Sequence, residues 1–343
     1  MRVFVTGGAG FIGSNFVRYL LTEHPDVTVT NYDVLTYAGN LASLADLQGD
    51  PRYTFVRGDI RDGALLREVL PGHDAVVNFA AESHVDRSIV ASDDFVESNV
   101  RGANTLFHAA LRLEIPRFLH ISTDETYGSI PAPGRFVEGD ALQPNSPYAA
   151  SKAGADLLAR AYRITYGYPI TITRTTNNFG PFHYPEKVVP LFITNLLDGR
   201  KLPLYGVGHN VRDWTYVLDN VRAQWLVLTE GRAGEEYNVG AGNEMTNREL
   251  TDAILARFGH AGPEAERWIE LVADRPGHDL RYSVDTTKVR QLGWEPKWSF
   301  DEALDATIAW YRENGWWWRP LKRRGASRRQ GLVERRTREQ ETT

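Results

Sequence analysis

The sequence contains no cysteine and only two methionines. Without cysteine, the chain has no disulfide, no thiolate nucleophile and no zinc–sulfur site. No apolar run approaches the ~18 residues that a membrane-spanning helix needs, and Met1 leads directly into a strand-like segment instead of a signal peptide. These absences predict a cytoplasmic protein with no membrane segment and no metal site.

The charge of the chain is modest and unevenly distributed. Its 343 residues carry 42% hydrophobic residues and a net charge of −5. Residues 321–343 hold eight Lys/Arg and three Glu, so the rest of the chain is acidic. An acidic body is not the footprint of a nucleic-acid-binding protein. We interpret residues 321–343 as a basic, disordered tail and not as an RNA or membrane anchor.

Strand-like and helix-like segments alternate over the first 125 residues. The apolar runs are RVFVTG, VTVTNYD, YTFVRGD, AVVNFAA and RFLHIST. Segments such as SNFVRYLLTEH and SDDFVESNVRGANTLFHAALRL lie between them, the second with Ser92 as a candidate N-cap. This alternation predicts βαβ units, and therefore an α/β fold with a doubly wound parallel sheet.

The character of the sequence changes after about residue 170. Proline and aromatic residues become frequent, as in GPFHYPEKVVP and KLPLYGVGHNVRDW. We predict a sheet domain over residues 1–175 and a smaller C-terminal lobe over residues 176–320, closely packed because no Gly/Ser-rich linker separates them. The Trp-rich end WYRENGWWWRP could offer a surface for stacking on carbohydrate, but helical spacing before it favours packing onto the body.

The segment VFVTGGAGFIGSN joins the first strand to the first helix. Gly7, Gly10 and Gly13 fit G-x-x-G-x-x-G, a variant of the Rossmann dinucleotide-binding motif, in which the backbone approaches a pyrophosphate at a helix N-terminus. Asp33 ends the second strand, where a carboxylate accepts ribose hydroxyls and repels a 2′-phosphate, so we expect NAD and not NADP. The alternative is a structural glycine turn beside an unrelated acid.

The segment NSPYAASKAGADLLARAY reads as a helix with Ser146 as N-cap and Pro147 at its first position. Tyr148 and Lys152 are four residues apart and therefore share one face. An ammonium near a phenol favours the phenolate, so we expect Lys152 to lower the pKa of Tyr148 and to make it a base for a substrate hydroxyl. Alone, this spacing more often marks ordinary surface residues. Beside a nucleotide fold and Thr123, it predicts a hydroxyl-oxidising site.

The stretch RFLHISTDETYGS places two acids, Asp124 and Glu125, directly after the fifth strand. A polar turn or a helix N-terminus would also explain them. Close carboxylates cannot both ionise freely, so one should keep its proton at neutral pH. Because successive side chains diverge on a strand, the backbone must leave strand conformation at Thr123 or Asp124 for both acids to reach one substrate.

These segments together resemble the extended short-chain dehydrogenase/reductases, the group that modifies nucleotide sugars. STDETYG is similar to the STDEVYG of the dTDP-glucose 4,6-dehydratases in that group. Further similar segments are DVLTYAGNL, FAAESHVDRSI, SPYAASKA, RTTNNFGP, LPLYG, VRDWTYV and VADRPGHDLRY. The resemblance covers about residues 1–315 and does not reach the tail. Thr126 stands where valine is more usual, and His183 departs from the usual GPYQFPEK and could alter the pocket lining.

The resemblance implies an NAD-dependent dehydratase acting on dTDP-glucose. NAD⁺ would oxidise the sugar at C4, water would leave across C5–C6, and the hydride would return to C6. Glu125 would be the base at C5 and Asp124 the acid at the C6 hydroxyl. The resemblance also implies a homodimer that pairs helices at about 92–112 and 147–165. A nucleotide-sugar 4-epimerase or decarboxylase, a simple alcohol dehydrogenase, a non-catalytic NAD-binding protein and a UDP-sugar substrate remain alternatives.

The resemblance finally implies three sets of site residues. The catalytic residues are Thr123, Asp124, Glu125, Tyr148 and Lys152. The NAD-binding residues are Gly7, Gly10, Phe11, Ile12, Gly13, Asp33, Leu35, Thr36, Asp59, Ile60, Phe79, Ala80, Ala81, Ser83, Ser98, Tyr148, Lys152 and Asn178. The substrate-binding residues are Ser83, His84, Thr123, Asp124, Glu125, Asn177, Lys187, Val188, Pro203, Tyr205, Arg212, Asn247, Arg275 and His278. The alternative for the last set is that its members only satisfy backbone groups.

Overall fold

A computed structural model describes residues 1–324 of the chain. The strands are β1 Arg2–Thr6, β2 Thr28–Asp33, β3 Tyr53–Arg57, β4 Ala75–Asn78, β5 Arg117–Thr123, β6 Ile170–Thr175, β7 Asn177–Phe179, β8 Leu202–Tyr205, β9 Val211–Tyr216, β10 Glu236–Val239, β11 Glu244–Thr246 and β12 Ile269–Val272. The α-helices are α1 Phe11–Glu23, α2 Gly63–Val69, α3 Val85–Val90, α4 Ser92–Phe95, α5 Ala103–Arg112, α6 Pro147–Tyr166, α7 Val188–Leu197, α8 Val217–Glu230, α9 Asn247–Arg257, α10 Ala265–Trp268, α11 Thr287–Gln291 and α12 Phe300–Glu313.

A seven-stranded parallel sheet forms the centre of the fold. Its strand order is β10-β6-β5-β4-β1-β2-β3, and every neighbouring pair is parallel. The order reverses between β1 and β4, which is the switch point at which ligands bind in doubly wound sheets. The five predicted strands are β1 to β5, so the Rossmann-type α/β prediction is confirmed.

The central sheet extends past the predicted boundary at residue 175, because it takes its last strand from the C-terminal part of the chain. β10 pairs in parallel with β6. On α8, Val217 and Val221 are fully buried in the same core as Val3 and Val5 of β1. The prediction followed the rise in proline and aromatic residues, which reports long loops. It missed that residues 217–239 add one more helix and strand to the sheet.

The remaining C-terminal elements build a smaller lobe beside the sheet. It contains a three-stranded sheet with order β11-β9-β7 and the parallel pair β12-β8. Its separate core holds Phe192 of α7, Leu250 and Ile254 of α9, and Leu304 of α12. The lobe therefore has hydrophobic packing of its own, and its loops are free to face the carboxyl ends of the parallel strands.

Two predicted helix starts have different outcomes. In α6, the Ser146 hydroxyl accepts a hydrogen bond from Ala149 N at 3.1 Å and Pro147 is the first helical residue, as predicted. Ser92 is not an N-cap, because α4 begins at Ser92 itself and Ala91 is its cap without a side-chain bond. The helix that follows has a π-helical segment, Val96–Gly102, before it continues as α5. Such segments widen a helix and are frequent at functional sites.

The structured body extends beyond the predicted limit at residue 320. Residues 315–324 are helical, and Leu321 is buried. Residues 325–343 lie outside the described residues, so the disorder expected of the basic tail is not addressed there. Trp317 and Trp318 are buried, and the Trp318 indole N–H donates to Tyr311 O at 2.8 Å. The preference for packing over carbohydrate stacking is confirmed for these two rings. No helix within residues 1–324 has the length and apolarity to cross a membrane.

We expect Trp318→Ala to lower the free energy of unfolding by about 3–5 kcal/mol, because it empties a fully enclosed indole site. Urea denaturation measures this change. Trp316→Ala is the matched control, since Trp318 is 1% exposed and Trp316 is 60% exposed. The control should change stability by less than about 0.5 kcal/mol. Equal effects of the two variants would contradict the assigned packing.

Candidate active site

The glycine turn after β1 brings backbone close to the switch point of the sheet. Gly7 has a φ of +68°, and a Cβ there would lie 2.6 Å from Ala80 N. A Cβ on Gly13 would lie 2.3 Å from Gly7 O. Both positions therefore require glycine. The turn leaves the N-terminus of α1 accessible, as a pyrophosphate-binding turn requires.

Asp33 is held at the end of β2 by two backbone donors. Ala9 N donates to Oδ2 at 3.0 Å, and Leu35 N donates to Oδ1 at 2.7 Å. Burial raises the pKa of Asp33, and these two hydrogen bonds oppose that rise. Each carboxylate oxygen can accept more than one bond, so the fixed carboxylate can still receive ribose hydroxyls. Together with the glycine turn, this arrangement fits a bound dinucleotide.

Most of the predicted residues line one continuous cleft. Those in its wall are Gly7, Gly10, Phe11, Ile12, Gly13, Asp33, Thr36, Asp59, Ile60, Phe79, Ala80, Ala81, Ser83, Ser98, Thr123, Asp124, Glu125, Tyr148, Lys152, Asn177, Asn178, Lys187 and Val188. Leu35 and His84 adjoin the wall. The His84 Nε2 atom lies 3.9 Å from Oε1 of Glu186, which is itself a wall residue.

Six predicted substrate residues lie in the lobe and outside the wall of this cleft. They are Pro203, Tyr205, Arg212, Asn247, Arg275 and His278. Two of them meet at one carboxylate of α3. The Tyr205 hydroxyl donates to Asp86 Oδ2 at 3.0 Å, and Arg275 Nη1 lies 3.6 Å from Asp86 Oδ1. The structure therefore brings these two residues together, and Arg212 and Arg275 lie close enough to the catalytic set for their charges to act on Glu125.

The cleft also contains residues that sequence reasoning missed. They are Tyr32, Val34, Tyr37, Ala38, Gly39, Gly58, Arg61, Glu82, Ile121, Ser122, Thr175, Thr176, Tyr184, Glu186 and Trp214. Many adjoin predicted residues in the strand-end segments, so including whole segments would have found them. Tyr37 and Glu186 likewise stand next to the predicted residues Thr36 and Lys187. His183 does line the cleft, as suspected from its unusual identity, and its ring stacks on Phe11 at 4.0 Å between centroids.

The two adjacent acids share one turn at the bottom of the cleft. β5 ends at Thr123, and a 3₁₀ turn, Asp124–Tyr127, follows at once. Glu125 N donates to the Thr123 hydroxyl at 3.3 Å, which fixes the start of this turn. The backbone therefore leaves strand conformation where it was predicted to do so. Because of this turn, both carboxyl groups line the same cleft instead of pointing to opposite faces of the sheet.

Burial and nearby charges shift the pKa values of Asp124 and Glu125 to different extents. Burial, followed by the charge of Glu125, raises the pKa of Asp124 well above its usual range. Burial also raises the pKa of Glu125, but the charges of Arg275, Arg212 and Lys187 oppose that rise. Asp124 Oδ2 is buried without a hydrogen-bond partner among the described residues. These shifts favour a proton on Asp124 more strongly than on Glu125.

The net pKa shift of Tyr148 is upward and not downward as expected, and Lys152 is not among its main causes. Burial raises the pKa of Tyr148, the charge of Glu125 raises it further, and a hydrogen bond with Thr123 opposes the rise. The Lys152 ammonium donates to Ile121 O at 2.6 Å, and burial lowers its pKa to about 8. The prediction took i,i+4 spacing as ammonium-to-phenol contact and left burial out. Thr123, Tyr148 and Lys152 still line the same cleft.

Comparison with known proteins gives consistent results. The family model for GDP-mannose 4,6 dehydratase matches residues 4–307. A dTDP-glucose 4,6-dehydratase of Streptomyces niveus is 52% identical over 327 residues, covering 94% of this chain and 96% of that protein. The crystal structure of a dTDP-glucose 4,6-dehydratase of Streptomyces venezuelae, solved with NAD and TYD bound, is 56% identical with a TM-score of 0.90, covering 94% of this chain and 100% of that chain.

A second kind of enzyme shares the fold at lower identity. The Thermus thermophilus UDP-glucose 4-epimerase, solved as a complex with NAD, is 31% identical with a TM-score of 0.81 and covers 91% of this chain and 99% of that chain. Within residues 1–324, no three His, Cys, Asp or Glu side chains are grouped so that they could hold a metal ion.

We expect Asp124→Asn to raise the free energy of unfolding at pH 7 to 8. An acid whose pKa is raised by folding makes the protein less stable as the pH rises above the unfolded value of about 4. Asparagine stays neutral, so the difference in the free energy of unfolding between Asp124→Asn and wild type should disappear as the pH falls toward 4. Urea unfolding at several pH values measures the difference.

Asp46→Asn is the opposite control. The hydrogen bond from Arg18 lowers the pKa of Asp46, so its removal should bring no gain at pH 7. An advantage of Asp124→Asn that is the same at pH 4.5 and pH 8 would contradict the assigned protonation.

Proposed function

Because the chain belongs to the GDP-mannose 4,6 dehydratase family, we propose that it is an NAD-dependent hydro-lyase, a dTDP-glucose 4,6-dehydratase. The reaction oxidises C4 of the sugar, removes water across C5–C6 and returns the hydride to C6, which gives dTDP-4-keto-6-deoxy-glucose. One observation carries this proposal beyond the shared fold. The adjacent acids Asp124 and Glu125 line the same cleft as Tyr148, with burial favouring a proton on Asp124.

When bound, NAD⁺ supplies the hydride acceptor for C4 and a positive ring charge that favours ionisation of a nearby phenol. Gly7, Gly10 and Gly13 would admit its pyrophosphate, and Asp33 would receive its adenosine ribose. We assign Asn178 to its other end, and the hydrogen bond that its Nδ2 donates to Thr175 Oγ1 at 2.9 Å would hold this side chain in one orientation. A carboxylate at Asp33 disfavours a 2′-phosphate, which supports NAD over NADP.

Tyr148 takes the C4 hydroxyl proton in the first step. Its hydrogen bond with Thr123 gives the phenol one fixed neighbour beside the substrate. The Lys152 ammonium is held in the site by its hydrogen bond to Ile121 O. Its positive charge favours the loss of a proton from neighbouring groups. Oxidation of C4 matters for the next step, because a C4 ketone acidifies the hydrogen on C5 enough for a carboxylate to remove it.

Glu125 and Asp124 then act on neighbouring carbons. Glu125 removes the C5 proton, the C6–O bond breaks, and Asp124 gives its proton to the leaving hydroxyl, which departs as water. After the hydride reaches C6, Glu125 returns its proton to C5. The proton that Tyr148 took from the C4 hydroxyl balances the one that Asp124 gave up. Once a proton passes from Tyr148 back to Asp124, the side chains and the cofactor regain their starting states, and the net change is the loss of one water.

Local cations offset the diphosphate of the substrate in an otherwise acidic protein. Lys187, Arg212 and Arg275 come from the lobe and all act on the charge of Glu125. The Arg212 guanidinium is buried over the Tyr282 ring, 4.1 Å from its centroid, and so has a fixed direction. We assign these three cations to the diphosphate and Tyr205 to the nucleotide base. The bound TYD of the Streptomyces venezuelae relative supports a thymidine nucleotide.

We also propose that the chain acts as a homodimer. Apolar side chains are exposed along α6 and along α3 to the π-helical segment. They are Ile89, Val90, Val96, Leu157, Ile164 and Tyr166, each at least 41% exposed. Leu157 and Ile164 are two helical turns apart and share a face. Pairing of these helices between two copies would bury this surface in a four-helix bundle.

The decisive test is incubation with dTDP-glucose and UDP-glucose in parallel, with the product identified by mass. We expect loss of one water from dTDP-glucose with no net NADH. A 4-epimerase would give a product of unchanged mass, and an alcohol dehydrogenase would accumulate NADH. Either result would overturn the proposal.

The roles of the two acids are separable by solvent deuterium exchange at C5. We expect Glu125→Gln to suppress the exchange, since it removes the base. Asp124→Asn should retain the exchange and slow water loss about 10²–10⁴-fold, since it removes only the acid. Glu68→Gln, at an exposed position of α2, is the control and should match wild type. Normal rates of product formation in both site variants would show that the roles are wrong.

The dimer is tested by light scattering after size exclusion. Leu157→Arg combined with Ile164→Arg should halve the mass, because two charges would have to be buried in the interface. Val137→Arg, at a site that is 46% exposed in a loop away from these helices, should leave the dimer intact. A wild-type chain with the mass of one copy would refute the proposed assembly.

A further inference from the structure

Three residues outside every predicted set join the walls of the cleft. Arg87 of α3 reaches Glu186 in the loop before α7 and Tyr37 in the loop after β2. We propose that this group, the Arg87 clasp (Arg87, Tyr37 and Glu186), holds the cleft closed and retains the bound dinucleotide while it is in its reduced form. The inference rests on the proposed function, because it assumes an internally recycled NAD.

The contacts of Arg87 are close and partly shielded from water. Its guanidinium carbon lies 3.7 Å from the centroid of the Tyr37 ring, and its Nη2 lies 2.9 Å from Glu186 Oε2. The side chain of Arg87 is 19% exposed and that of Glu186 only 4%. A cation–π contact and an ion pair both strengthen when water is excluded. Arg87 therefore adds a charged contact between two loops that also meet through the packing of Tyr37 on Tyr184.

Both partners of Arg87 belong to the cleft itself. Tyr37 and Glu186 line it, as does Tyr184, whose ring is edge-on to Tyr37 at 5.5 Å. The loop of Tyr37 begins at Asp33, the residue assigned to the adenosine ribose. A second contact lies next to the clasp: Lys187 Nζ donates a hydrogen bond to Ser83 O at 2.6 Å. Opening this side of the cleft would therefore require Arg87 to release Tyr37, Glu186 or both.

Retention has a chemical purpose in this reaction. The hydride removed from C4 must be present when C6 needs it, so loss of the reduced cofactor between the two steps would strand an oxidised sugar and an inactive protein. Residues that contact only the cofactor bind its oxidised form and its reduced form. A tie between the walls slows escape of either form and needs no contact with the reacting atoms.

The experiment compares Arg87→Met with Arg257→Met in the full-length protein loaded with NAD⁺. Arg257 is a matched control: its side chain is 21% exposed and pairs with Asp301 at 2.6 Å between α9 and α12, away from the cleft. NAD⁺ release is followed by stopped-flow displacement without substrate, and thermal unfolding is recorded for each variant. We expect about tenfold faster release from Arg87→Met and no change from Arg257→Met.

Two further variants, Arg87→Lys and Tyr37→Leu, test the clasp even if Arg87→Met folds poorly. Arg87→Lys retains the charge but loses the planar stacking group, so its release rate should lie between wild type and Arg87→Met. In a double-mutant cycle with Tyr37→Leu, the combined variant should release NAD⁺ no faster than Arg87→Met alone, because the two residues act as one tie.

Retention during turnover is measured with dTDP-glucose, pyruvate and lactate dehydrogenase, which consume any NADH that escapes. Arg87→Met should form lactate and inactivate with time, whereas wild type should do neither. Unchanged release rates, or fully additive effects in the cycle, would overturn the clasp. A wild-type chain that binds no NAD⁺, or that binds it and does not dehydrate the sugar, would instead count against the proposed function.

Discussion

The burial of two adjacent carboxyl groups at the end of β5 is the constraint on which the account of this protein depends. In water, Asp124 and Glu125 would have similar pKa values and the same charge. In the cleft, desolvation and mutual repulsion keep a proton on Asp124, while three cations of the lobe favour the charged form of Glu125. This difference supports the proposed roles of Asp124 as the acid and Glu125 as the base in the loss of water from neighbouring carbons.

The elements behind this turn hold it in place. On the far side of the site, Asp156 of α6 pairs with Arg174 of β6 at 2.8 Å, and Arg174 also donates to the Tyr127 hydroxyl at 2.8 Å. Tyr127 ends the same 3₁₀ turn that begins at Asp124. This buried network therefore connects the helix that carries Tyr148 and Lys152 to the turn that carries the acids. A buried ion pair of this kind contributes little net stability, but it can specify one arrangement.

The sequence was most informative where local chemistry and position agree. The five apolar runs, the glycine turn, the Ser146 cap and the end of β5 were predictable because each follows from backbone rules that operate over a few residues. The boundary at residue 175 was not predictable in this way, because β10 joins the sheet through contacts distant in sequence. The Tyr148–Lys152 spacing predicted a shared face but not the burial that raises the pKa of the phenol. Arg87, Tyr37 and Glu186 lie in segments that the sequence singled out, but their mutual contact was not predictable because they meet only in the folded chain.

The central claim is that one hydride leaves the sugar and returns to it within a single cleft. Its most direct test uses dTDP-glucose that carries deuterium on C4, with the product analysed by mass and by NMR. The account predicts that the label is found on C6 of the same sugar, in a product that has lost one water. A dehydrated product whose C6 hydrogens come from solvent or from added NADH would contradict it.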